Sequence, residues 1–101
     1  MELKPGMRLR STVCETEVIV TKGHGDLDVG CGGQPLVEAG AEVPAGQQIS
    51  ADATGGTQMG KRYVDDDAGL ELLCTRPGAG SLTLAGEVLP IKGAKPLPAS
   101  D

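Results

Sequence analysis

The sequence predicts an all-β protein, and three observations predict it. Sixteen glycines and seven prolines punctuate 101 residues, so that no apolar helical pattern persists for three turns. Short apolar runs bounded by turn residues recur instead, as strands require. The stretch from Thr16 to Val20 is rich in β-formers and alternates in polarity at its start, whereas Leu70 to Cys74 is almost wholly apolar, as expected of a strand covered on both faces.

In chain order these criteria place strands at 8–13, 17–21, 26–29, 42–43, 48–51, 62–64, 70–75, 81–84 and 88–91. The glycines of "GHGD" and "PGAGS" suit hairpin turns, where positive φ is needed. The tail "KGAKPLPASD" reads as an irregular segment running along the surface. The expected core comprises Val18, Ile19, Leu27, Leu72, Leu73, Leu82 and Leu84. Phe and Trp are absent and Tyr63 is the sole aromatic, so the interior is expected to be a thin aliphatic one with no large ring to bury. A chain of this size is one domain, 1–101, and the small margin of such a core over conformational entropy favours self-association or a partner protein.

The charge excludes some partners. Fourteen acidic against nine basic residues give a net charge of -5, and the scattered cations do not form the cluster that displaces counterions from nucleic acid. "MELKPGMRLRS" contains no apolar leader core, and no run approaches the ~20 apolar residues of a membrane span. The expectation is a cytoplasmic protein with no membrane partner. An odd count of three cysteines without a secretion signal then makes reduced thiols the default, although a Cys14–Cys31 disulfide stays open.

The chain also matches itself. Gly6, Arg8, Glu17, Thr21 and Lys22 recur 54 residues later as Gly60, Arg62, Glu71, Thr75 and Arg76, with Leu9, Val18 and Ile19 on Tyr63, Leu72 and Leu73. After one extra residue, Gly23, Gly25 and Leu27 match Gly78, Gly80 and Leu82; Gly33 and Leu36 then match Gly86 and Leu89. Two repeat units, 6–36 and 60–89, are thus expected on either side of a Gly/Ala/Pro-rich connection, 37–59.

The first unit, "LRSTVCETEVIVTKGHGDLDVGCGGQPL", resembles the desulforedoxin-like metal domains, small β folds with a C-x-x-C-G turn and a later G-x-G-x-L-x-C-C-G-x-P-M segment whose four thiolates hold one iron. In that alignment Ser11 and Cys14 stand at the first two ligand positions and Cys31 and Gly32 at the last two, with two extra residues after Leu27. The second unit, "YVDDDAGLELLCTRPGAGSLTLAGEVL", keeps the spacing but carries Asp65, Ala68, Leu84 and Ala85 there, with Gly69 at the glycine after the first pair. The resemblance implies a small β-sandwich or barrel made of two such units, an internal pseudo-dimer. A tetrahedral thiolate site needs four soft donors. With two left in one unit and none in the other, the expected cofactor is none.

Individual residues carry competing readings. Cys14 and Cys31 are a residual two-thiol metal site for iron or zinc with His24 as third ligand, a redox pair, or small core fillers. If the family geometry holds, their sulfurs lie close together without an ion and can oxidise. His24, within "GHG", reads otherwise as a solvated turn residue, and Cys74, within "LELLC", as core. "DDDAG" departs from the calcium-loop pattern in the place of its glycine, and Arg76 stands where a bidentate Glu is required, so an acidic turn is expected at Asp65, Asp66 and Asp67. Ser11 and Ser81 have no base near them in sequence, and "GHGDLDVGCGG" lacks the lysine and the βαβ setting of a phosphate loop.

Two function classes follow. The first is a non-catalytic accessory or protein-interaction domain that has lost its family's iron site. The second is a small metal-binding or redox protein using Cys14 and Cys31.

Overall fold

A computed structural model describes residues 2–42 and 48–92 of the chain. Its strands are β1 (Glu2–Leu3), β2 (Arg8–Arg10), β3 (Glu17–Lys22), β4 (Gly25–Asp26), β5 (Val29–Cys31), β6 (Gln34–Pro35), β7 (Val37–Glu38), β8 (Arg62–Asp65), β9 (Leu70–Arg76), β10 (Leu82–Leu84) and β11 (Glu87–Val88), with one 3-10 turn at Ala51–Ala53. The described residues form no α-helix, and the all-β class is as expected. No helix among them is long and apolar enough to cross a membrane.

The strands make three sheets: β7-β2-β3-β9-β8, β11-β10-β5-β6, and the pair β1-β4. The pairings recur along the chain. Arg8, Leu9 and Arg10 face Ile19, Val18 and Glu17 across β2 and β3, and Arg62, Tyr63 and Val64 face Leu73, Leu72 and Glu71 across β8 and β9, each residue 54 further on. The central pair of the larger sheet is antiparallel with Ile19 opposite Leu73, flanked by Val18–Cys74 and Val20–Leu72. That of the smaller sheet has Gly30 opposite Thr83, flanked by Cys31–Leu82 and Val29–Leu84.

Several expected elements are corrected. The first strand stops at Arg10 rather than residue 13, because the Ser11 hydroxyl takes the Val13 and Cys14 amides into a turn. The expected strand 26–29 divides into β4 and β5. Val43 lies outside the described residues, Glu42 is not in a strand, and 48–51 is irregular chain that enters the 3-10 turn. The last strand is Glu87–Val88, with Ile91 making only an isolated bridge to Tyr63. β1, β6 and β7, two residues each, escaped pattern reading. Of the tail, Lys92 is described and 93–101 lies outside the described residues.

"GHGD" and "PGAGS" are not hairpin turns. Each carries the chain out of the larger sheet, from β3 to β4 and from β9 to β10. The tight hairpins are instead Gly32-Gly33, at φ 67 and 90, and Ala85-Gly86, at φ 52 and 85. Positive φ at both central residues is the primed geometry that follows strand twist.

Val18, Val20, Leu72, Cys74, Leu9 and Leu70 from the larger sheet pack in one cluster with Val29, Cys31 and Leu82 from the smaller. Of the expected core, Val18, Leu72 and Leu82 are buried. Ile19, Leu27, Leu73 and Leu84 are half-buried: Ile19 and Leu73 alternate onto the other face of their strands, where they pair with each other. The expectation of no buried ring also fails. Tyr63 is 5% exposed, and its hydroxyl accepts the Gln58 amide at 2.9 Å.

Candidate functional site

The turn from Ser11 to Thr16, the end of β5 and the segment after β9 meet around two sulfurs. Cys14 Sγ lies 3.8 Å from Cys31 Sγ, and both cysteines are free thiols. Ser11 Oγ accepts the backbone N–H of Val13 at 3.1 Å and of Cys14 at 3.2 Å, which turns the chain and sets the Ser11 oxygen 3.3 Å from Cys14 Sγ. Thr16 Oγ1 approaches the same sulfur at 3.2 Å and continues at 2.8 Å to Thr57 Oγ1, which accepts the Gly78 N–H at 2.9 Å. Ser11, Thr16, Thr57 and Cys31 are buried, and Cys14 is half-buried.

Two glycines of "PGAGS" bring backbone down onto this group. A Cβ on Gly78 would stand 2.4 Å from Thr16 Oγ1 and 3.0 Å from Cys14 Sγ, and one on Gly80 would stand 2.9 Å from Cys31 Sγ. Any larger residue would lift the segment away.

The two thiols differ electrostatically. Burial pushes Cys14 up, but hydrogen bonds from the Ser11 and Thr16 hydroxyls, together with the Thr16 and Gly80 backbone, outweigh it and hold the thiol at about 7 against the usual 9.0. Burial, reinforced by the charge of Cys14, pushes Cys31 up to about 12. Cys74 is also pushed up, chiefly by burial, and its Sγ donates to the Arg76 carbonyl at 3.2 Å. It is a core residue, as its sequence context suggests.

The other nominated residues stand apart from the pair. His24 is exposed between β3 and β4. Among the described residues no group of three or more His, Cys, Asp or Glu side chains is gathered for a metal ion, so His24 does not complete a site with Cys14 and Cys31. Ser81 is buried and accepts the Gly55 amide at 2.7 Å, a tie between loops. Asp65 accepts the Ala68 N–H at 3.1 Å within the β8–β9 turn, while Asp66 and Asp67 are exposed.

The residues present do not fit a four-thiolate iron. Ser11 supplies an oxygen already engaged by two amides. At Gly32, which corresponds to the fourth ligand position in the resemblance, an added Cβ would meet Val13 Cγ2 at 2.5 Å and Ile49 Cγ1 at 3.0 Å, so apolar atoms fill that corner. Sequence reading singled out Ser11, Cys14 and Cys31 but missed Thr16, Thr57, Gly78, Gly80, Val13 and Ile49. The paired glycines of "PGAGS" were the one available signal for two of these. Thr57 and Ile49 come from the connection, which no local pattern links to the cysteines. Comparison of the chain with known protein families, with curated proteins and with solved structures returns no match.

Proposed function

We propose that this protein is a metal-free, non-catalytic accessory or protein-interaction domain, a small β-sandwich of two desulforedoxin-like units, 6–36 and 60–89, in which the iron site has been lost. The observation that carries the reading is the filled fourth corner. Val13 and Ile49 hold the volume that a thiolate at residue 32 would need, so the missing donor has been replaced by packing. The repeated registers favour two units over chance turn spacing. The amide of Gly6 bonds the Val20 carbonyl as that of Gly60 bonds Cys74, and the amide of Leu36 bonds Val29 as that of Leu89 bonds Leu82.

In the second unit Asp65 caps the Ala68 amide as Ser11 caps Cys14, with alanine where the thiol would be. The turn geometry therefore persists without ligands. Self-association, or a cytoplasmic protein partner, is the accompanying role; the net charge of -5 speaks against nucleic acid.

The test is elemental analysis of untagged protein, as purified and after anaerobic incubation with ferrous iron or zinc followed by desalting. Metal far below one ion per chain is expected. Stoichiometric iron or zinc that survives desalting would overturn the proposal.

A further inference from the structure

We propose that Cys14 and Cys31 form a dithiol–disulfide pair that exchanges with disulfides of low-molecular-weight thiols, Cys14 attacking and Cys31 resolving. The sulfurs are already in van der Waals contact at 3.8 Å, and a bond of about 2.05 Å requires only a local approach of the Cys14 turn to β5. The roles follow from position. Cys14 is half-buried and within reach of solvent, whereas Cys31 is 0% exposed and meets an incoming sulfur only through Cys14.

The hydroxyls are arranged to serve a thiolate. With Cys14 protonated, its S–H donates to Ser11 Oγ at 3.3 Å; once Cys14 ionises, the Ser11 hydroxyl, which also accepts the Val13 and Cys14 amides, turns its own proton onto the sulfur. Thr57 can donate to Thr16, which then donates to the Cys14 thiolate as a second hydroxyl beside Ser11. The molecule contains its own control. The second unit builds the corresponding turn and strands with Ala68, Leu70 and Leu84 in place of Cys14, Thr16 and Cys31, so the fold does not require the polar group. Ala68, Leu70 and Leu84 carry neither thiol nor hydroxyl. The hydrogen bonds that hold Cys14 near 7 also keep it available as thiolate at neutral pH.

In the first step the Cys14 thiolate attacks one sulfur of R–S–S–R. That bond breaks, Cys14–S–S–R forms, and the departing thiolate takes a proton from water to give RSH. In the second, Cys31 gives up its proton, attacks Cys14 Sγ and expels the second R–S group, which leaves as RSH. Two electrons pass from the pair to the substrate, and the products are one Cys14–Cys31 disulfide and two thiols. The half-buried position of Cys14 beneath Gly78 and Gly80 suits a small disulfide better than one on a folded protein.

The test treats the fully reduced full-length chain, without oxygen, with bis(2-hydroxyethyl) disulfide, which is uncharged and so indifferent to the acidic surface. Intact mass and peptide mapping are the readouts. The native chain is expected to lose two hydrogens, with the link mapped to Cys14 and Cys31 and no adduct retained. Cys31→Ser is expected to keep one hydroxyethylthio group at Cys14, and Cys74→Ser to behave as native. Ser11→Ala combined with Thr16→Val is expected to slow adduct formation about tenfold at neutral pH, with strand content checked by circular dichroism. An adduct that persists on the native chain, reaction first at Cys31 or Cys74, or no oxidation at all would overturn the proposal. Mapping of the native chain decides even if a variant fails to fold. The outcome is independent of the accessory role: bound stoichiometric metal defeats that role, and failed exchange leaves it standing.

Discussion

Ala85 is the described non-glycine residue with positive φ, at 52°, and it occupies the same hairpin position in β10–β11 that Gly32 holds, at 67°, in β5–β6. A Cβ in this region costs roughly 1–2 kcal/mol, offset in part by the lower unfolded-state entropy of alanine. Ala85→Gly is therefore expected to raise unfolding stability by about 0.5–1 kcal/mol in urea titrations. A variant less stable than the native chain would show that the Ala85 methyl packs usefully. Gly32 responds in the opposite sense. Gly32→Ala puts a methyl into Val13 and Ile49, and overpacking of this kind costs about 1–3 kcal/mol.

β9 is the element on which the larger sheet turns, since it pairs with β3 on one side and β8 on the other. Its Glu71, read as part of an apolar run, has a side chain only 7% exposed, because Thr21 Oγ1 donates to it at 2.7 Å and Lys92 Nζ at 3.0 Å, with Arg62 Nε at 3.6 Å. Through Lys92 this carboxylate holds the segment after β11 against the edge of β8, where Val64 N–H meets the Pro90 carbonyl at 3.0 Å and Lys92 N–H the Arg62 carbonyl at 2.7 Å. The Thr21 hydroxyl, then Lys92, holds the Glu71 carboxyl below its usual 4.5. A depressed folded-state value stabilises the chain above the unfolded pKa and is lost as pH falls through the folded one. The native chain should accordingly lose more stability than Glu71→Gln between about pH 5 and about pH 3, measured by chemical denaturation at each pH. Parallel curves for the two proteins would show that Glu71 is not the group involved.

At the scale of the whole molecule, the interior joins both larger sheets but contains a single aromatic ring, and Met59 and Val88 remain 68% and 60% exposed. A thin aliphatic core gains when further apolar area is covered. Sedimentation velocity at micromolar concentration should show a species of about twice the 10.2 kDa chain. A species of the chain mass alone would remove self-association from the proposed role.

Composition and local pattern by themselves determined the all-β class, the two longest strands and the burial of Val18, Leu72 and Leu82, because glycine and proline spacing and period-two polarity are local properties. The cysteines themselves drew attention to Cys14 and Cys31, and the resemblance to the desulforedoxin-like pattern added Ser11. Strands of two residues carry too little pattern to read, and a turn motif cannot reveal whether its flanking strands pair, which is why "GHGD" and "PGAGS" proved to be crossings between sheets. Only the tertiary structure decided how near the sulfurs lie, that Thr16 and Thr57 serve them, and that Val13 and Ile49 close the fourth corner. The reason is physical: the Ser11 and Thr16 hydroxyls that act on Cys14 lie beside it in the sequence, but the second sulfur, the Thr57 hydroxyl and the Gly80 backbone come from distant parts of the chain, and nothing next to Cys14 marks them.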